Sequence, residues 1–263
     1  MLTRPLSARR PAPGTPARTT PARPTPARLV PSRLAVALPA LTLAALALLA
    51  LAVLVVPAAA QTLPEGWQLR ADRPDVALEQ VEVVDMPPGY HITTGPAVIL
   101  WRGAESGAAG DDAPGAFAAH AEGDYRIEAE YYLFDPGERI EAFGFFVGGR
   151  DLTTDAQAYT YLLLRNGGEF IFKHRAGADA PTILPWTSHP AIVSYVDRPE
   201  GEVSVRNELA LERRGNELRL IVNGTEMART DAENLPLDGI VGLRVNHGLN
   251  VHVTRFEVLP LEQ

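Results

Sequence analysis

Residues 217–229 read ELRLIVNGTEMAR. Two runs that alternate apolar and polar residues flank Asn223-Gly224, and both of these residues tolerate the positive φ that a two-residue hairpin turn requires. Asn223-Gly224-Thr225 also spells a glycosylation sequon, but the flanking alternation favours the turn. Arg214-Gly215-Asn216 and Asn166-Gly167-Gly168 have the composition of further hairpin loops.

The same pattern continues outward from this hairpin. Residues 80–84, 91–94, 97–101, 125–134, 141–148, 158–165, 169–175, 208–213, 239–245 and 250–259 are short runs separated by Gly, Pro, Asn and Asp. None carries a long 3.6-residue period, and the Gly/Ala-rich stretch 104–122 contains Pro114 and reads as a loop. About a dozen strands at this spacing predict an all-β sandwich or barrel over residues 76–263, not a parallel α/β fold.

Alternation also assigns faces. Tyr159, Tyr161, Leu163 and Arg165 share one side of their strand, against Thr160, Leu162 and Leu164. Phe170, Phe172 and His174 oppose Ile171, Lys173 and Arg175. If Val241, Leu243 and Val245 point inward, Arg244 and Asn246 point outward. In residues 125–131, Tyr125, Ile127 and Ala129 are the inward set, leaving Arg126, Glu128 and Glu130 outside.

Charge is unevenly placed. Seven arginines and no acid occupy residues 1–60, so of 24 basic and 32 acidic residues in the chain, 17 and 32 fall in the remainder, a formal net charge of −15. A body this acidic argues against nucleic acid, whose phosphates need a basic face. The chain has no cysteine. That excludes disulfides, thiolate nucleophiles, Cys-type zinc or iron–sulfur sites and a lipoprotein anchor. Lys173 is the single lysine against 23 arginines, which with the abundant Ala and Pro reads as a GC-rich, bacterial coding sequence.

Residues 1–33 are Pro, Ala, Arg and Thr in near repeats and are expected to be disordered. Residues 34–56 are a continuous apolar run, followed by Pro57-Ala58-Ala59-Ala60-Gln61. A basic flank, an apolar stretch and a small-residue site make a secretory signal cleaved after Ala60. The run is also long enough to cross a bilayer, so an uncleaved anchor with the domain outside is the competing reading. A translation start near Leu29 or Val30 would leave a signal of ordinary length. Residues 61–75 are read as a linker.

The C-terminal stretch from Asn207 shows a strand, Gly215-Asn216, a strand ending Val222-Asn223-Gly224, a short return strand, Gly239-Ile240-Val241-Gly242-Leu243 and a last strand through Val258. This progression resembles the end of concanavalin A-like lectin/glucanase sandwiches, closest to laminin G-like and 3-keto-disaccharide hydrolase-like domains of secreted bacterial proteins. FGFFVGGRDL and YTYLLLRNGGEFIFKHRAG fit the middle strands, and the resemblance spans roughly residues 120–260. It implies a two-sheet antiparallel jelly-roll with one concave sheet, whose face or rim relatives use for glycans. Laminarinase-type relatives carry E-x-D-x-x-E on one strand, pairing an acid with a nucleophile. This chain has no such motif. Glu128 and Glu130, flanked by Arg126, read instead as a solvated face.

No G-x-S-x-G, H-E-x-x-H or EF-hand loop occurs. Asp151-Leu152-Thr153-Thr154-Asp155 offers oxygens to Ca²⁺ but is also ordinary loop composition, so no cofactor is expected. The candidate ligand-binding set is Tyr159, Tyr161, Arg165, Lys173, Arg175, Trp186, Arg244, Asn246 and His247. Aromatic faces stack on sugar rings, while Arg and Asn bond hydroxyls or a carboxylate. Clustered cations in an acidic body suit an acidic glycan. The bland reading is a cross-strand Tyr/Arg network on a solvated sheet, with Trp186 a core plug under a loop. Three functions remain open at this point: an exported glycan-binding or cell-envelope domain, a hydrolase or lyase acting on a modified sugar, and a structural protein-interaction domain.

If the signal is cleaved as read, N-terminal sequencing of exported protein returns Gln61 as the first residue. A mature start upstream of Leu34 contradicts the signal-peptide reading.

Overall fold

The computed structural model describes residues 63–73, 76–78, 80–103 and 117–262. Within them the alternating runs become fifteen strands, numbered along the chain and paired antiparallel throughout. The disordered segment and the apolar export run read at residues 1–60 lie outside the described residues.

The first sheet has the order β1 (Trp67–Ala71), β4 (Val98–Arg102), β14 (Gly239–Val245), β7 (Ala142–Arg150), β8 (Ala158–Arg165), β9 (Glu169–Ala176) and β10 (Thr182–Ser188), with the two-residue β5 (His120–Ala121) also pairing with β14. The second has the order β13 (Thr225–Asp231), β12 (Glu217–Val222), β11 (Ser204–Arg214), β6 (Tyr125–Phe134), β15 (Asn250–Pro260), β3 (Tyr90–Thr93) and β2 (Glu82–Asp85). Sequence neighbours such as β6 and β7 fall in different sheets, which makes the molecule a two-layer all-β sandwich. Among the described residues the only helical piece is a 3₁₀ turn at Tyr195–Asp197.

The core lies between the layers. Phe143, Phe145, Leu162, Leu164, Phe170 and Phe172 of the first sheet meet Tyr131, Leu133, Leu209, Leu220, Val251 and Phe256 of the second. β6 alternates without a break, Tyr125, Ile127, Ala129, Tyr131 and Leu133 inward and Arg126, Glu128 and Glu130 outward. The β12–β13 turn is the one expected, with φ of 49° at Asn223 and 76° at Gly224. The Asn223 side chain is also a structural tie. Its Nδ2 donates to the Ala191 carbonyl (2.8 Å) and to Asn207 Oδ1 (3.0 Å), and its Oδ1 accepts from the Glu208 N–H (2.8 Å).

Three strands correct the sequence reading. The two-residue β5 lies inside the stretch 104–122 read as a loop, fixed there by pairing with β14. β1 lies inside the stretch read as a linker, so the sandwich begins by Trp67 and not at residue 76. Its five residues are too few to show a period, and pairing with β4 rather than propensity fixes it. β10 contains Pro185, which argues against a central strand. It occupies the sheet edge, where a missing N–H is tolerated, and its pairing with β9 is interrupted twice.

The far side of the first sheet departs from a solvated face. Ile99, Trp101, Ala142, Phe146, Tyr159, Tyr161, Leu163 and Ile171 form a second buried cluster there, separate from the core between the layers. Gly242 permits part of this packing: a Cβ on it would lie 2.6 Å from the Phe146 ring and 2.3 Å from the Leu100 carbonyl oxygen. Consequently β7 and β8 are buried on both faces and read as near-continuous apolar runs.

Candidate functional site

The outer face of the first sheet is concave. Asp72, the residue after β1, contacts Arg175 on β9, although β4, β14, β7 and β8 lie between those strands. In a flat sheet at about 4.8 Å per strand, five steps would separate them by about 24 Å. Arg70 of β1 makes a second bridge, donating to the Leu152 carbonyl (3.1 Å) and to Asp155 Oδ1 (2.8 Å) in the β7–β8 loop.

Arg244 stands at the middle of this face. Alternation along β14 sends Val241, Leu243 and Val245 into the core and Arg244 away from it, as expected, but the residue is only 6% exposed. A buried guanidinium requires a counter-charge and acceptors. Its Nη1 donates to Asp72 Oδ1 (2.9 Å) and to Tyr159 Oη (2.7 Å). Its Cζ lies 4.7 Å from the Tyr161 ring centroid and 5.9 Å from that of Tyr159, which places the cation over two aromatic faces. Arg175 joins the same carboxylate, Nη1 3.3 Å from Asp72 Oδ1 and Nη2 donating to the Asp72 carbonyl at 3.3 Å.

The electrostatics follow from this packing. Burial pushes the Asp72 carboxyl up, but the Arg244 hydrogen bond and the charges of Arg244, Arg175 and His247 outweigh it and hold the group below its ordinary range. Burial pushes the Tyr159 phenol up to about 12, against the opposing pull of Arg244, so it is a neutral acceptor at physiological pH. Tyr161 is raised for the same leading reason.

The predicted residues divide into three groups. Tyr159, Tyr161, Arg175 and Arg244 come together as one cluster. Arg165 and Trp186 form a second pair, the guanidinium 4.4 Å from the indole centroid, with Arg165 Nε also donating to Glu169 (2.6 Å). Trp186 is therefore an edge-strand residue packed on the outer cluster, not a core plug under a loop. Lys173 lies between these groups, opposite Tyr161 on β8 and Thr182 on β10. Asn246 and His247 follow the end of β14: the Asn246 Oδ1 is buried with no hydrogen-bond partner among the described residues, and the exposed His247 has Nδ1 3.6 Å from Glu141.

Asp72, the anion that organises the cluster, was missed because it lies in the presumed linker. The sequence Ala-Asp-Arg-Pro holds no local signal that it faces β14. Trp101 was also missed, although alternation within 97–101 puts it beside Ile99. It helps line a cleft of about 360 Å³ next to the cluster, together with Arg70, Arg73, Val76 and Asp155.

The acids of the second sheet are committed elsewhere. Glu128 accepts from Arg126 (2.5 Å) and pairs with Arg255 (3.0 Å), while Glu130 accepts from Arg206 (2.7 Å) and from Thr254 (2.7 Å). Glu208, Glu212 and Glu226 continue the lattice with Arg255, Arg214 and Arg219. This is the ion-paired solvated face that Arg126 suggested. In the 151–155 loop, Asp155 is used by Arg70, and among the described residues no group of three or more His, Asp or Glu is arranged to hold a metal.

The architecture is shared with known carbohydrate-associated sandwiches. The carbohydrate-binding module CBM66 from Bacillus subtilis superposes with a TM-score of 0.51 at 12% identity, over 74% of this chain and 95% of that one. The chain has the concanavalin A-like lectin/glucanase sandwich fold. Looser likenesses include a family 16 endo-glucanase from Bacteroides ovatus (TM-score 0.47, 10% identity, 75% and 97% covered) and sheep galectin-11 (0.41, 13%, 54% and 95%). No family model and no curated protein matches the sequence.

Because the Asp72 pKa is lowered in the folded state, its stabilisation is complete above the unfolded carboxyl's ordinary value and is lost as pH falls through the lowered one. Wild type is expected to be more resistant to urea than Asp72→Asn at about pH 7, with the gap narrowing by about pH 3. An equal gap at both pH values contradicts the ion-pair account.

Proposed function

We propose that the protein is an exported glycan-binding β-sandwich module that holds its ligand on the concave face of the first sheet. The observation that carries this reading is the Arg244–Tyr159–Tyr161–Arg175 cluster, a buried cation set between two aromatic rings with a second, part-buried one beside it in a curved face. With Tyr159 and Tyr161 almost fully buried, the ring left to stack on a sugar is that of part-exposed Trp186, while sugar hydroxyls accept from the Arg165 and Arg175 guanidinium groups. Tyr161, Lys173, Arg165 and Trp186 form a path across β8, β9 and β10 along which successive sugar units could lie.

Charge points to the kind of glycan. Arg165, Lys173, Arg175 and Arg244 face this side of the sheet against Asp72 and Glu169, an excess of cations in an otherwise acidic body. An acidic polysaccharide complements that excess. Binding is preferred over hydrolysis because Asp72 and Glu169 are each held in an arginine ion pair, and Tyr159 is raised far from neutrality. Asp72, whose carboxyl is held low, is therefore not poised as a general acid. The sandwich shared with a carbohydrate-binding module supports the same class of ligand at the level of fold. Export rests on the basic, apolar and small-residue segments that precede Gln61.

Purified protein is expected to be retained by a subset of polysaccharides in a glycan array and in a pull-down. Lys173→Ala and Trp186→Ala are expected to weaken that retention by about tenfold each; Lys173→Ala should leave the melting temperature nearly unchanged, while Trp186→Ala should lower it modestly because the indole packs on the outer cluster. Retention by no glycan in either assay contradicts the function. Retention unaffected by both substitutions contradicts the site.

A further inference from the structure

We propose that Asp72 is a displaceable stand-in for a ligand carboxylate: it closes the concave face by occupying Arg244 and Arg175, and a hexuronate-containing glycan opens the face by taking its place. This rests on the glycan reading above and adds how the site is occupied when empty of sugar, and what chemical group releases it.

Asp72 makes a poor permanent anchor. Both guanidinium groups meet a single oxygen, Oδ1, at 2.9 Å and 3.3 Å. The stronger seat, both oxygens in the parallel, two-bond arrangement that the guanidinium fork favours, is not made; Arg175 adds only a 3.3 Å bond to the Asp72 carbonyl. The Nε groups of Arg175 and Arg244 are both buried and have no hydrogen-bond partner among the described residues. The Arg244 side chain is 7% exposed, so its unsatisfied N–H is a standing cost that a better-placed acceptor would remove. The cluster thus has more donors than its resident carboxylate uses.

Asp72 is also placed to leave. It follows the end of β1, with its side chain 25% exposed against 7% for Arg244. Its N–H donates to the Ala97 carbonyl at 2.8 Å, after which Arg73, Val76 and Ala77 are exposed and belong to no strand. Arg244 and Arg175, by contrast, are fixed in central strands. The adjoining cleft lined by Arg70, Arg73, Val76 and Trp101 gives the displaced segment, or the next sugar unit, somewhere to go. A ligand carboxylate would restore the counter-charge that Arg244 needs, so opening leaves no buried cation unpaired. A neutral glycan cannot make that exchange, which makes Asp72 a selectivity element as well as a closure.

The test compares wild type with Asp72→Asn, which keeps the shape and one acceptor oxygen while removing the competing charge. Polygalacturonate, alginate and hyaluronan serve as acidic probes, laminarin and xylan as neutral ones. Removing a closed state that is populated about nine times in ten should tighten binding of an acidic probe by about tenfold. A folded Asp72→Asn that gains affinity for none of the acidic probes overturns the displacement, while the glycan reading stands if wild type still retains a polysaccharide. Retention of no probe by either protein overturns both. Hydrogen exchange on wild type keeps the proposal testable if the variant does not fold. With an acidic probe bound, exchange should rise at residues 72–73 and 76–78 and fall around Arg175 and Arg244. Slower or unchanged exchange at 72–73 and 76–78 in that complex overturns the displacement.

Discussion

One guanidinium shapes the functional side of this molecule. Arg244 projects from the central region of a sheet into an almost closed aromatic pocket, where a bare cation would be strongly unfavourable. Asp72 and Tyr159 make it tolerable, and in doing so they bring the end of β1 and the start of β8 to the same point. Arg175 joins from β9. The curvature of the first sheet and the charge at its centre are two aspects of one contact network.

The two outer faces of the sandwich use the same residue types to opposite ends. On the second sheet, Glu128, Glu130, Glu208, Glu212 and Glu226 alternate with arginines on neighbouring strands, and each carboxylate has a cation within reach. These carboxylates are part-buried or, for Glu212, buried, and their pairing leaves few donors for a ligand. On the first sheet, cations outnumber carboxylates, sit among aromatic rings and keep buried Nε groups unsatisfied. Recognition belongs on the face whose bonding capacity is incomplete.

Much of the fold was legible in the sequence, because a half-buried strand writes its orientation as a two-residue period. Residues 125–134, 158–165, 217–222 and 239–245 are strands at the limits the alternation suggested, and Asn223-Gly224 turned as its chemistry required. Alternation also put Tyr159, Tyr161, Arg165, Lys173, Arg175 and Arg244 on one side of the sheet. It could not say that this side curls until Tyr159 and Arg244 are buried, since curvature depends on contacts between strands far apart in the sheet. For the same reason it missed Asp72, whose partners are 103 and 172 residues away. β1 and β10 were missed because a short edge strand, one of them with a proline, carries almost no periodic signal.

The central claim is that the incomplete arginine cluster of the concave face, and not the ion-paired face behind it, meets the ligand. The arginine Nε–Hε resonances of the protein, followed by NMR while a retained polysaccharide is added, test this directly. Arg244 and Arg175 are expected to shift, with Arg219 and Arg229 of the opposite sheet unmoved. Shifts confined to Arg219 and Arg229, with Arg244 and Arg175 unchanged in the saturated complex, would contradict it.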